Sequence, residues 1–306
     1  MSFISNDYIN SIERGYGDSD KKLCHECIGN KSLKEYIKAN GYVCTCDYCG
    51  QRRKAVNLDS FMVIIMSGVN FLYTHAVNEL PCDSGEYIGK TYTTAQLIFE
   101  ELRDEIDAQD ERILKDIVEI MYDDIWCDAD PFSDREEDVA YYDWQSFCKM
   151  VKEKVRYVFY RATPDTSFNE NPTTILDTLA YYAERVRLDR RIDKNTKMYR
   201  CRTHENDEWR TAYADFAPPP PWVATSGRMN ATGINVLYLT LDPNTALCET
   251  RTSGRDYATI ASFRVTESIR VLDLTKIKKM SIPSIFDEDN RHNRSPVMFL
   301  HTCSDH

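Results

Sequence analysis

Residues 227–250 read GRMNATGINVLYLTLDPNTALCET. A glycine-framed turn opens the stretch and carries Arg228. The apolar run from Val236 to Leu241 predicts a short strand with Tyr238 inside it. Asp242-Pro243-Asn244-Thr245 has the form of a helix start, with an acidic cap followed by proline at the first helical position. Glu249 falls in the first turns of that helix. Turn, strand and helix in so few residues imply a mixed α+β region. The order also brings an arginine, a tyrosine and a carboxylate to one corner. Such a set can grip an anionic ligand and stabilise a developing cation.

The surroundings agree with a mixed region from about residue 195 onward. Lys197 to Arg202, Ala258 to Val265 and Ser268 to Leu272 also read as strands. KMYRCR sets Arg200 and Arg202 two apart on the first of these, hence on one face. Arginine makes forked hydrogen bonds to phosphate and keeps its charge when partly buried. FAPPPPWVA, residues 216–224, is a stiff extended loop. Surface arginine–glutamate pairs and a packed tyrosine are the ordinary alternative for these residues.

Before the charged boundary Arg187 to Lys197 the pattern is helical. One helix is expected from Asp59-Ser60 through FMVIIMSGVNFLYTHAV, ending at Val77. A second runs from Thr93-Thr94 to Met121, with Leu97, Phe99, Leu102, Ile106, Ile113, Ile117 and Ile120 at three- and four-residue intervals. A third spans Trp144 to about Arg161, and a fourth Thr174 to about Arg187. The expectation is an all-α bundle over 56–192. Asp123, Asp124, Asp128 and Asp130 lack the glycine and closing glutamate of a calcium loop and read as a solvated helix end. His75 reads as a packed or surface histidine.

Five of eleven cysteines fall between positions 24 and 49. Cys24 and Cys27 form one C-x2-C knuckle, and Cys46 and Cys49 form another. Eighteen residues separate them, within the spacing of paired-knuckle zinc sites. The expectation is a structural Zn2+ in a knuckle domain over 1–55, with Cys44 and His25 as possible replacements for a ligand. A short helix sits between the knuckles, with Ser32 and Glu35 resembling a capping box and Asn40-Gly41 ending it. The six scattered cysteines read as buried thiols.

Composition narrows the function. The chain has 306 residues, 42% hydrophobic and 28% charged, with a formal net charge of −11. Between Glu100 and Asp143 stand 18 acidic and 4 basic residues, while Arg191 to His306 is slightly basic. This argues against general nucleic-acid binding and leaves room for a phosphate-bearing ligand in the C-terminal region. The longest apolar run, Phe61 to Met66, is far too short to span a bilayer. No secretion signal is visible, so a cytoplasmic location is expected.

Three segments carry a resemblance. MYRCR, then SGRMNATGINVLYLTLDPNTALCET, then FRVTESIRVLDLT, all within residues 198–275, resemble a RES domain. CHEC…CDYCG with WQSFCKMVKEKVRYVF resembles, more weakly, the zinc-knuckle and HEPN-like domain found ahead of some RES domains. The resemblance implies an ADP-ribosyltransferase-like α+β domain over 193–306. It implies NAD+ as substrate and a role as a toxin or phage-defence effector that cleaves the nicotinamide–ribose bond by hydrolysis or phosphorolysis. An antitoxin or the N-terminal domain would restrain it. The family's arginine corresponds to Arg200 (or Arg202), its tyrosine to Tyr238 and its glutamate to Glu249. Arg228 matches the glycine-rich turn, and Arg200, Arg202, Arg228 and Tyr238 would contact the dinucleotide. Ser304 is the candidate for a downstream serine, and members of the family usually continue with another strand-rich segment past the point that residue 306 would match. Two rival readings share these residues: an ADP-ribosyltransferase acting on a macromolecule, and an inactive zinc-dependent interaction module. HEPN-type RNases pair an arginine with a histidine, with four to six residues between them. The one such pair, Arg294 and His301, lies outside the helical region, and no RNase is expected.

Overall fold

A computed structural model describes residues 14–153, 172–205, 207, 210–227, 230–250 and 257–304. Arg228 and the far end of the predicted third helix lie outside these residues. The chain is of mixed class, 44% helical and 21% strand. It forms two compact units: residues up to Arg187 together with those from Leu274, and residues Leu188–Asp273.

In the first unit, strands β1 (Lys22–Cys24), β2 (Tyr42–Thr45) and β3 (Arg52–Asn57) make an antiparallel sheet in the order β1-β3-β2. Helix α1 (Lys31–Asn40) joins the first two strands and buries Leu33 and Ile37. Its cap is Asn30, two positions before the predicted cap Ser32. The Asn30 side chain accepts from the backbone N–H groups of Ser32 and Leu33.

The apolar helix α2 spans Leu58–Leu72 and is buried along Leu58, Phe61, Met62, Ile65 and Val69. It stops five residues before the expected end. Tyr73–His75 forms strand β4, which pairs with β6 (Ile125–Asp128). β6 also pairs with β5 (Tyr92–Thr93). The predicted all-α region therefore contains a three-stranded antiparallel sheet. Ladder partners some fifty residues away outweigh a local helical pattern.

The predicted long helix over 93–121 is also broken. A single helical turn at Thr94–Gln96 passes into a π-helical turn at Leu97–Glu101, then a short helix at Arg103–Ile106. Asp107 adopts a left-handed conformation, φ 52°. Helix α3 (Glu111–Ile120) restarts behind Asp110, whose side chain accepts from Arg112 N–H. The break is made by the knuckle. Gly29 N–H donates to Asp107 O at 2.6 Å, and Gln109 N–H to Cys27 O at 2.9 Å. The apolar periodicity survives because Leu97, Leu102, Ile106, Ile113 and Ile117 all still enter one core with α2.

Helices α4 (Glu136–Glu153) and α5 (Pro172–Arg185) follow. The chain leaves this unit at Arg187 and rejoins it at Leu274. Residues 274–304 thus belong with the N-terminal part, whereas the sequence assigned everything after 193 to one domain. Ile285 and Phe286 are buried in the first unit's core, with Phe286 against Gly68: a Cβ on that glycine would lie 2.4 Å from the ring. Helix α7 (Arg294–Ser304) buries Val297, Phe299 and Leu300, with Phe299 edge-on to Tyr182.

The second unit is built on one long antiparallel ribbon. Strand β7 (Asp189–Ile192) pairs with β10 (Ile269–Leu272), and β8 (Lys197–His204) with β9 (Tyr257–Arg264). Three of these four, β8, β9 and β10, are predicted strands, while β7 lies in the stretch read as a charged boundary. The fourth predicted strand, Val236 to Leu241, is reduced to one antiparallel bridge between Thr240 and Tyr199. Helix α6 (Pro243–Glu249) is capped by Asp242, which accepts from Thr245 N–H at 2.7 Å, as its sequence requires.

Candidate functional sites

The four-cysteine group lies in the first unit. β1 ends at Cys24, and the 3-10 turn His25–Cys27 folds the chain back, leaving the Cys24 and Cys27 sulfurs 3.6 Å apart. After β2, Cys46 begins a second turn. Gly50 N–H returns to Cys46 O at 2.9 Å, with Gly50 at φ 69°, where a side chain would be strained. β1 and β2 flank β3, so the two loops meet. Cys24 to Cys49 is 3.6 Å, Cys27 to Cys46 is 3.8 Å, and all four sulfurs lie within 4.8 Å of one another. A tetrahedron with metal–sulfur bonds of about 2.3 Å has edges of about 3.8 Å, so the donor set fits a metal ion.

Electrostatics support that role. Burial pushes the Cys24 and Cys27 thiols up. Burial also opposes ionisation of Cys49, but Gln51 N–H and the other three cysteines outweigh it and bring it down to about 7. Thiols whose burial disfavours a free thiolate at Cys24 and Cys27 make a site that a cation completes. Cys44, on β2, is not one of the four. His25 is engaged elsewhere, with Nδ1 3.1 Å from Lys54 O and Nε2 3.3 Å from Glu26. Tyr48 anchors the second knuckle: its hydroxyl donates to buried Asp116 at 2.8 Å, and Lys21 pairs with the same carboxylate at 2.7 Å.

The acidic stretch is a solvated helix end only in part: Asp123 and Asp130 are exposed, whereas Asp124 and Asp128 are half-buried and paired, Asp128 inside β6. Asp124 lies 2.7 Å from His75 Nδ1, and Asp128 pairs with Arg135. Among the described residues no group of these acids gathers as a metal site. The Arg294–His301 pair is committed to structure. Arg294 binds Glu105 and Pro283 O, and His301 Nε2 contacts Met280 O at 3.0 Å.

The corner lies in the second unit, along β8. Tyr199 exchanges both backbone hydrogen bonds with Thr240, at 2.8 and 2.9 Å. Thr250, next to Glu249, donates from its hydroxyl to the Cys201 sulfur at 3.8 Å. Arg200 stands between these two attachments, so the segments bearing Tyr238 and Glu249 are both tied within one residue of it. Its guanidinium is half-buried and donates from Nη1 to Phe216 O at 3.0 Å and Ala217 O at 3.3 Å. Burial, then the charge of Arg202, lowers its pKa from the usual arginine value. Tyr238 and Glu249 are exposed. The Tyr238 hydroxyl donates to Asn230 Oδ1 at 2.6 Å. Sequence reasoning gave Asn230 no role, although an asparagine in a glycine-framed turn is a signal for side-chain bonding to local backbone.

Two family profiles match this chain. HEPN/RES N-terminal domain 1 matches residues 39–165, and the RES domain matches residues 197–302. The chain therefore carries a RES domain preceded by a HEPN/RES-type N-terminal domain. The RES match puts it in a toxin-like, NAD-related family. No curated protein and no solved structure matches it. The first match begins inside the knuckle, at residue 39, and the second covers the ribbon from β8 onward and most of helix α7. Among the described residues, no helix is long and apolar enough to cross a membrane.

Proposed function

We propose that this protein consumes NAD+ by breaking its nicotinamide–ribose bond, with the corner on β8 as the active site. The observation that carries the reading is the RES match over 197–302, which contains Arg200, Arg202, Arg228, Tyr238 and Glu249. The two ties of β8 to Thr240 and Thr250 support it, since they hold the tyrosine and glutamate segments to one strand.

The bond breaks through an oxocarbenium-like state, as in glycoside cleavage. Its electron pair leaves with nicotinamide, whose pyridinium ring becomes neutral, so no strong general acid is needed. The carboxylate of Glu249 stabilises the ribosyl cation and orients the incoming nucleophile. Water adds with loss of its proton to solvent and yields ADP-ribose; phosphate adds to yield ADP-ribose phosphate. Arg202 and Arg228 hold the pyrophosphate, and Tyr238 orients the nicotinamide riboside. Arg200 is placed to help, although two of its hydrogen bonds already go to loop carbonyls, which gives it a structural share as well.

The four-cysteine centre takes Zn2+ in a structural role, through Cys24, Cys27, Cys46 and Cys49. The bond cleavage requires no metal at the corner. An NAD+ consumer harms its own cell, so the N-terminal domain or an antitoxin restrains it, and the setting is a toxin–antitoxin or phage-defence system in the cytoplasm. Incubating purified full-length protein with adenine-labelled NAD+, with and without phosphate, tests the reading. Free labelled ADP-ribose or its phosphate supports it. Label transferred to protein or nucleic acid identifies a macromolecular transferase instead. Unchanged NAD+ leaves the interaction-module reading.

A further inference from the structure

The Asn230 side chain makes four hydrogen bonds within the corner. Its Nδ2 lies 3.0 Å from Thr225 O, 3.1 Å from Ala231 O and 2.9 Å from Ile234 O. Its Oδ1 lies 2.6 Å from the Tyr238 hydroxyl. A primary amide has two N–H donors at one end and one acceptor oxygen at the other. Three carbonyls around one end require that end to be the NH2, so the oxygen must face the phenol. The phenol has a single proton, and it is given to Asn230. Toward any other partner the Tyr238 oxygen acts as an acceptor.

Gly227 completes the cradle. Its N–H donates to Asn230 O at 2.9 Å. A Cβ at position 227 would stand 2.5 Å from Asn230 Oδ1 and 2.8 Å from the Tyr238 hydroxyl. Both distances are shorter than real contacts, and Gly227 has an ordinary backbone φ, so the glycine is needed here for space and not for conformation.

We propose that Asn230 is a positioning residue of the site: it closes the glycine turn and aims Tyr238 so that its oxygen accepts hydrogen bonds from the ligand. The matching ligand groups are donors, namely the hydroxyls of a ribose or the N–H of a carboxamide. This assignment rests on the NAD+-consuming reading for its ligand, but the geometry of the hydrogen bond does not depend on that reading.

Two measurements separate the two claims. Full-length protein labelled with 13C at tyrosine Cζ reports the hydrogen bond without ligand, the Tyr238 resonance being identified by its loss in Tyr238→Phe. Asn230→Ala and Gly227→Ala are both expected to shift it, and an unmoved resonance overturns the positioning role whether or not NAD+ is consumed. Steady-state NAD+ turnover then tests the functional link. Tyr238→Phe and Asn230→Ala are each expected to lose about tenfold in kcat/KM, and the double variant no more than about tenfold, because both delete one oriented hydroxyl. A double variant that loses the product of the two, about a hundredfold, overturns the link. Asn230→Asp keeps the side-chain size and the acceptor but cannot donate to the three carbonyls, and it serves in both measurements if the alanine variant does not fold. A wild-type protein that leaves NAD+ intact refutes the proposed reaction, while the resonance still decides the positioning.

Discussion

Single side chains divide between chemistry and support, and exposure sorts them. Glu249 is exposed at the end of α6, so replacing it costs little packing. Glu249→Gln is expected to lower NAD+ turnover about a hundredfold with the melting temperature unchanged, read by product analysis and calorimetry. Arg200 differs, since its guanidinium closes off the carbonyls of Phe216 and Ala217. Arg200→Ala is therefore expected to lower both activity and melting temperature, leaving two acceptors unsatisfied at about 1–3 kcal/mol. The arginine–tyrosine–glutamate set proposed for the corner came from residue order together with the RES resemblance. Asn230 was not readable in that way, because what marks it is four hydrogen-bond distances and not its identity.

At the scale of elements, the knuckle is both a candidate metal site and a splint. Its two C-x2-C loops are joined by the β1-β3-β2 sheet, and its backbone breaks the helix at Asp107. Cys27→Ser is expected to abolish bound zinc and loosen residues 22–57, seen as faster amide exchange there, whereas Cys44→Ser is expected to leave the zinc content at one per chain. Acid acts in a defined direction. Metal binding needs all four sulfurs as thiolates, and burial raises the Cys24 and Cys27 thiols, so protons compete with the ion. Cys49, held at about 7, contributes an ionised sulfur above that pH and loses it as pH falls through that value. Zinc retention measured by metal analysis after dialysis is thus expected to fall as the pH is lowered. Cysteine spacing made this element legible. The three-stranded sheet of β4, β5 and β6 was illegible, because its strands are two to four residues long and pair across dozens of positions.

For the whole molecule, the consequential fact is the return of the chain. The ribbon unit is held between Arg187 and Leu274, and the segment after it fills the core of the N-terminal part. Phe286→Ala is expected to destabilise the first unit by about 3–5 kcal/mol in urea unfolding, since the ring is buried against Gly68. A fragment of residues 193–306 contains α7 without α4 and α5 and is expected to bind hydrophobic dye and give poorly dispersed amide resonances. A well-dispersed spectrum from that fragment would sink the claim that its tail needs the N-terminal part. The boundary at 193 was visible as a change in charge and periodicity. The second boundary, at 273, carries no such mark, because Ile285 and Phe286 look like any apolar pair in a loop.

The amino-acid sequence by itself determined what local chemistry dictates: the two knuckles, the capped helix at Asp242, three strands of the ribbon, and the residue types of the corner. Tertiary structure alone decided where the long helical pattern breaks, which of five clustered cysteines come together, how the Tyr238 hydroxyl is oriented, and which unit owns the last thirty residues. Caps and turns are set by neighbours within a few positions, and so they can be read along the chain. Ladder pairing, core insertion and hydrogen-bond direction are set by partners far away in sequence, whose positions exist only once the chain has folded.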